Sequence, residues 1–213
     1  MNAEGIRGAA GTPEPHDSSR LHVAGRATYV DDIPEPRGLL HVAVGMSSVS
    51  HARIRSIDLT EVRHAPGVVA VITADDIAGD NNCGPVVPDD PILAPGLVQY
   101  IGQAVFAVAA VSVDDARRAA RRAVIEYDML EPVLDIRDAL AKQSFVLPSE
   151  TIRRGDSAGA IGRAIHRLEG SVNLGGQDQF YLEGQIAMAL PREGGDLFVY
   201  SSTQHPAEVQ HLV

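Results

Sequence analysis

Apolar and polar residues alternate along several short stretches of the chain, and in one stretch they recur every three to four residues. Leu39 to Met46 alternates apolar with small residues and predicts a strand. Arg26 to Val30 predicts a shorter one. Arg53 to Leu59 also alternates, but Ile54 and Ile57 fall out of phase, which predicts a bulge or a strand end. Val68 to Thr73 is a nearly continuous β-branched run and predicts a fully buried strand. Ala104 to Val111 predicts a central strand. Val113 to Ala123 carries the helical period: Val113, Ala116, Ala120 and Ala123 form the inward stripe. Asp114 and Asp115 open that helix and Arg121 and Arg122 close it, each matching the helix dipole. Val124 to Asp128 then predicts a strand running straight off the helix.

Between these stretches the chain carries turn chemistry. Asp31 to Gly38 combines acids, prolines and a glycine. Thr60 is placed to cap one helical turn over Glu61 to Ala65, Thr73 to Ile77 starts another, and Asp135 caps a helix through Ala141. Gly79 to Gly96 is long, polar and proline-rich, too long for an ordinary connector. Up to this point the pattern predicts an α+β unit in which a helix backs a mixed sheet. Residues 1–21 read as a flexible leader, 22–143 as one domain, 144–162 as a linker and 163–213 as the incomplete start of a second domain. In the second domain Ala164 to Leu174, Tyr181 to Leu190 and Leu197 to Tyr200 are predicted strands. Pro191 to Asp196 is a hairpin loop, and Pro206 takes a first helical position.

Composition narrows the partners. The 213 residues are 45% hydrophobic but only 4% aromatic, with no Trp, so Val, Ala, Leu and Ile must build the core. A net charge of -10 argues against nucleic acid, which needs a basic face, and is the wrong sign for anionic membranes. No apolar run approaches the roughly 20 residues of a membrane span. Cys83 is the single cysteine, which excludes an internal disulfide and a multi-cysteine metal site within this sequence. The first residues have no apolar signal region, so the expected location is cytoplasmic.

Several residues invite chemistry and have plainer readings. No pair among the eight histidines has helical metal-ligand spacing. His51 reads as a loop hydrogen-bonder, and His205 and His211 stand out only because they flank an amide-rich segment. The acid pairs Asp31-Asp32, Asp75-Asp76, Asp89-Asp90 and Asp114-Asp115 sit at turns and helix starts, where carboxylates cap backbone amides. Arg117, Arg118, Arg121 and Arg122 read as a solvated helix face. Gly155-Asp156-Ser157-Ala158-Gly159 matches the Gly-x-Ser-x-Gly elbow in letters, but the preceding Thr151 to Arg154 is too short and too charged for the buried strand that motif requires. There remain Gln177, Gln179 and Glu183, with Thr203 and Gln204. Amides cannot act as bases, so this group is suited to positioning a ligand and not to making bonds.

A set of blocks carries a family resemblance. They are Tyr29-Val30-Asp31-Asp32-Ile33-Pro34, Ser50 to Asp58, Ala65-Pro66-Gly67-Val68, Thr73 to Ile77, Tyr100 to Val105, Glu126-Tyr127 with Leu130 to Val133, and above all Gly175 to Glu183. In this order they resemble the molybdenum hydroxylases of the aldehyde oxidase/xanthine dehydrogenase family, and within it the molybdopterin-binding subunit of the bacterial xanthine dehydrogenases. The resemblance covers residues 22–213. It implies an α/β-hammerhead domain over 22–143 and the start of a molybdenum-cofactor domain over 163–213. It implies a molybdenum–molybdopterin cofactor, a partner subunit carrying FAD and 2Fe-2S clusters, and oxidation of purines (hypoxanthine or xanthine to urate) with water-derived oxygen. Gln204, in Ser-Ser-Thr-Gln, corresponds to the family glutamine that hydrogen-bonds a molybdenum oxygen without ligating the metal. Pro85 and Val86 correspond to the hammerhead loop that lines the substrate funnel. The family's Phe-Gly-Gly-Lys-Glu segment, substrate-binding arginine and catalytic glutamate lie downstream of Ser-Thr-Gln and are not in this sequence, so no catalytic residue is expected here. Two alternatives stay open: a non-catalytic scaffold or assembly piece, and a portion of an aldehyde oxidoreductase.

Overall fold

The computed structural model describes residues 11–213; the first ten residues of the expected leader lie outside them. In chain order the elements are α1 (Ser19–Val23), β1 (His41–Met46), β2 (Ala52–Asp58), α2 (Thr60–Arg63), β3 (Val68–Thr73), β4 (Leu97–Val98), β5 (Ala104–Ala110), α3 (Val113–Ala120), β6 (Val124–Met129), α4 (Ile136–Ala141), α5 (Ser157–Arg163), β7 (Ala187–Pro191), β8 (Leu197–Ser201) and α6 (Pro206–Leu212). Short 3₁₀ turns occupy Val30–Asp32, Ala74–Asp76 and Glu193–Gly195. The helix-and-strand content is that of an α+β chain. Two compact units form, Gly38–Asp178 and a second joining the residues up to Arg37 with Gln179–Val213.

The larger unit holds two three-stranded sheets, β1-β5-β3 and β4-β2-β6. Every described ladder is antiparallel, so the expected mixed sheet is corrected. The helix α3 packs on β1 and β5. Between the elements lies a core of small and medium side chains, including Ala52, Leu59, Val62, Val98, Val105, Val108 and Ala119, with Phe106 as its largest apolar member. Dense packing of short side chains is how a chain so poor in aromatics fills an interior. The strand β5 is central as expected. The out-of-phase isoleucines of β2 do mark an irregularity, a register shift against β6 between Ile54 and Ser56.

Several expectations are corrected. β3 is an edge strand, not a fully buried one: Val69 is 59% exposed. A β-branched run reports fitness for a strand but does not say whether both faces are covered. In α3 the buried residues are Ala116 and Ala119, whereas Val113 faces outward. The helix starts when Ser112 accepts from the Asp115 amide (3.1 Å) and donates to the Asp115 carboxylate (2.6 Å). No strand forms over 26–30. The chain makes a 3₁₀ turn instead, because the Asp32 carboxylate accepts from the Tyr29 amide (3.0 Å) and holds the backbone in a local cap. Residues 164–174 have no strand partner and are not a strand; alternation without a neighbour to pair with is insufficient. The strand expected over 181–190 is confined to β7. The stretch 144–162 is not featureless, since α5 forms there with Asp156 accepting from the Gly159 amide (2.9 Å).

In the smaller unit β7 and β8 form the antiparallel hairpin, with Ala187 opposite Ser201 and Pro191 opposite Leu197. Pro206 occupies the first turn of α6, where its missing N–H costs nothing.

Candidate functional site

The segment around Gln204 leaves β8 and turns into α6. Its backbone is fixed by hydroxyls. Ser202 accepts from the Ile186 amide (2.9 Å) and donates to the Gly184 carbonyl (2.9 Å), while its own amide donates to the Ile186 carbonyl (3.0 Å). Thr203 accepts from the His205 amide (3.0 Å). These bonds close the open end of the hairpin and set the bend at 203–205. Gln204 itself is exposed, and among the described residues its amide has no hydrogen-bond partner. A neutral carboxamide held at a fixed bend with its donors free fits an oxygen acceptor such as a metal oxo group, and it needs no proton to do so. Val199 and Val209 border a shallow groove of about 440 Å³ between β8 and α6.

Glu183 does something other than face a ligand. Its carboxylate accepts from the Val30 amide (2.8 Å), and it thereby anchors the Tyr29–Asp32 turn. Gln179 accepts from the Tyr181 hydroxyl (3.2 Å). The run Gly175 to Leu182 is exposed. Of the sequence-selected group, Gln177 and Gln204 are thus both left available, and Glu183 is used structurally.

Pro85 and Val86 lie at the exposed tip of the long loop, Val86 being 84% exposed. The loop is built from within. Asn81 donates to the Leu93 carbonyl (2.7 Å) and accepts from the Leu93 amide (3.0 Å). Asn82 accepts from the amides of Gly84 (3.2 Å) and Asp90 (3.1 Å). The Cys83 thiol donates to the Asp90 carbonyl (3.3 Å). Burial, then the neighbouring Asp90 charge and that bond, push its pKa up. Sequence reading missed both asparagines and Ser202. The signal available was an Asx residue two positions before a glycine in an over-long loop.

Several other residues singled out by the sequence have local partners. His51 bonds the Glu131 carbonyl (2.9 Å). Asp76 caps the Thr73 amide (2.7 Å), and Thr73 holds its carboxyl below the ordinary range. His205 lies 3.9 Å from Glu208, and His211 is on α6. No group of three His, Cys, Asp or Glu among the described residues could hold a metal ion. Arg118 pairs with Asp115 (2.9 Å) and Asp114 (3.6 Å), while Arg117 and Arg121 border a cleft of about 860 Å³ whose wall includes Val44, Met46 and Ile101. The elbow-like Gly155 to Gly159 string follows residues with no regular structure, so the strand that motif needs is absent. No described helix is long and apolar enough to cross a membrane.

Comparison with known proteins fits this layout. Residues 24–131 match the aldehyde oxidase and xanthine dehydrogenase a/b hammerhead domain, and residues 140–213 match the molybdopterin cofactor-binding domain. The chain is 34% identical over 208 residues to xanthine dehydrogenase/oxidase of Gallus gallus, covering 97% of this chain and 15% of the relative. It is 40% identical over 210 residues to aldehyde oxidase 2 of Rattus norvegicus, covering 98% of this chain and 15% of the relative. The structure of quinoline 2-oxidoreductase from Pseudomonas putida 86 superposes with a TM-score of 0.75 at 26% identity, over 97% of this chain and 28% of that one. The chain therefore spans about 15% of the length of the curated relatives it matches, and it belongs to the aldehyde oxidase and xanthine dehydrogenase family of molybdenum hydroxylases.

Proposed function

We propose that this chain forms part of a xanthine dehydrogenase-type molybdenum hydroxylase, one that oxidises hypoxanthine and xanthine to urate in the cytoplasm with oxygen taken from water. The observation that carries the reading is Gln204, an unpartnered carboxamide on a hydroxyl-pinned bend within the molybdopterin-binding match. When bound, the molybdenum–molybdopterin cofactor supplies the oxygen-transfer and two-electron chemistry. Gln204 would be one of the residues that face the bound cofactor, with its carboxamide N–H groups available to donate to an oxygen acceptor there. Because the amide does not titrate, this contact persists across the working pH range. Pro85 and Val86 present an apolar surface along the path of a planar heterocycle. A partner subunit carrying 2Fe-2S clusters and FAD would supply the electron acceptors.

An aldehyde substrate is the second reading, favoured by the 40% identity to an aldehyde oxidase. Assaying the complete enzyme with hypoxanthine, xanthine and a set of aldehydes separates the two, and turnover confined to aldehydes refutes the purine reading. Gln204→Ala in that enzyme should lower kcat about 10- to 100-fold, the scale of one lost hydrogen bond to a charged group. Cofactor content and the melting temperature should be retained. Parental kcat would remove Gln204 from the site.

A further inference from the structure

A loop as long as 79–96 is ordinarily either disordered or functional. Here its few apolar anchors lie at its base: Leu93 is 6% and Ala94 2% exposed, and the Ala94 amide donates to the Ala104 carbonyl of β5 (2.8 Å). Asn81, bonded both ways to Leu93, belongs to that base. Above it nothing apolar is buried, so order in the tip must come from polar closure. One atom supplies two of its bonds, and the Cys83 amide and thiol and the Asp89 amide supply the others. Asn82 Oδ1 accepts from Gly84 and from Asp90, eight residues away, beside the Cys83 amide's bond to the Asp90 carbonyl (2.8 Å). Within the closed loop Gly84 is obligatory, because a Cβ there would lie 2.1 Å from the Val87 carbonyl oxygen.

We propose that Asn82 is a positioning residue for the substrate: it closes residues 82–90 and fixes Val86, so that a planar aromatic heterocycle meets a preset apolar surface. The role rests on the reading above that Pro85 and Val86 line the substrate funnel. It makes a chemical distinction between two adjacent asparagines. Asn82 uses only its acceptor, so a carboxylate can replace it. Asn81 uses both donor and acceptor, so a carboxylate at that position would face the Leu93 carbonyl oxygen.

The test uses the complete holoenzyme with xanthine as probe, together with hydrogen exchange of the 82–90 amides. Asn82→Ala should raise KM about three- to tenfold with kcat held, and speed exchange at Gly84 and Asp90 by a similar factor. Asn82→Asp should restore both, whereas Asn81→Asp should not behave as the parent. Val86→Asp, at an exposed position, should raise KM without altering exchange at the loop base. An unchanged KM in Val86→Asp overturns the funnel reading and with it the substrate role of Asn82. A raised KM there, with Asn82→Ala at parental KM or with Asn82→Asp as impaired as Asn82→Ala, overturns the Asn82 role alone.

Discussion

Gly45 and Phe106 stand opposite each other in the register of β1 and β5. A Cβ on Gly45 would lie 2.0 Å from Phe106 Cε1 and 2.1 Å from Cζ. Carbon atoms in contact prefer about 3.5–4.0 Å, so the methyl or the ring must move by roughly 1.5 Å. Phe106 is 1% exposed and is the largest apolar side chain buried in this core, so the ring can shift only toward the cleft that it and Gly45 border. Gly45 does not have a positive φ, so alanine can adopt its backbone and the effect is isolated to the collision. Overpacking of this kind costs about 1–3 kcal/mol, less about 0.4–1 kcal/mol returned by the stiffer unfolded chain. If the ring were expelled, the penalty would move toward the roughly 3–5 kcal/mol of Phe→Ala.

Gly45→Ala should therefore destabilise the protein by about 1.3 kcal/mol, within a range of about 0–2.6 kcal/mol. Urea unfolding followed by far-UV circular dichroism should show a midpoint lowered by up to about 1 M at unchanged slope. Phe106→Leu should be destabilising alone but should partly rescue Gly45→Ala, with a coupling of about 0.5–2 kcal/mol because the two share one space. A parental midpoint in Gly45→Ala, or strictly additive penalties in the double variant, would refute the close packing of glycine against ring.

Ser112→Ala removes the acceptor for the Asp115 amide at the start of α3 and should cost about 0.5–2 kcal/mol, read from the same unfolding curves; Ser112→Thr, which keeps both that acceptor and the donor to the Asp115 carboxylate, should recover most of it. Acid should weaken the fold through capping carboxylates: Thr73 bonds hold Asp76, Thr60 bonds hold Asp58, and Ser112 and Arg118 bonds hold Asp115, all below the ordinary 3.8. A depressed pKa contributes stability that is whole above the unfolded value and is lost as pH falls through the folded one, so the decline belongs below about pH 4. The midpoint of Asp76→Asn should be lower than the parent's at pH 7 and should converge with it as the pH falls through that range. A constant difference from pH 7 to pH 2 would refute the capping role.

How far the sequence discloses this protein depends on what each residue's partner is. β1, β5, β6 and α3 were legible because alternation and helical period report a single covered face. Asp135 and Pro206 were legible because caps and first-turn prolines act within a few residues. β3 was misjudged because burial of its second face depends on which strand becomes the edge. Val113 was misplaced because a stripe of alanines fixes a helix's rotation only loosely. The 164–174 pattern has no strand to pair with among the described residues. For the site, the type of residue at 204 was legible, and the family resemblance supplied its meaning. Its freedom from other bonds was not legible, because that depends on Ser202 and Thr203 satisfying the neighbouring backbone instead.

Both proposed site segments share a construction in which short polar side chains satisfy the local backbone. Around Gln204 the backbone amides of Ile186 and His205 are satisfied by the hydroxyls of Ser202 and Thr203. Around Val86 the amides of Gly84 and Asp90 are satisfied by Asn82. Irregular backbone must still place its polar groups, and short side chains do so either from two residues away, as Thr203 and Asn82 do for His205 and Gly84, or across the bend, as Ser202 and Asn82 do for Ile186 and Asp90. A segment closed in this way can expose a functional side chain without burying an apolar anchor beside it. It follows that substitutions at the clasping residues should alter the presentation of Gln204 or Val86 more than they alter global stability, the reverse of the order expected for Gly45 and Phe106.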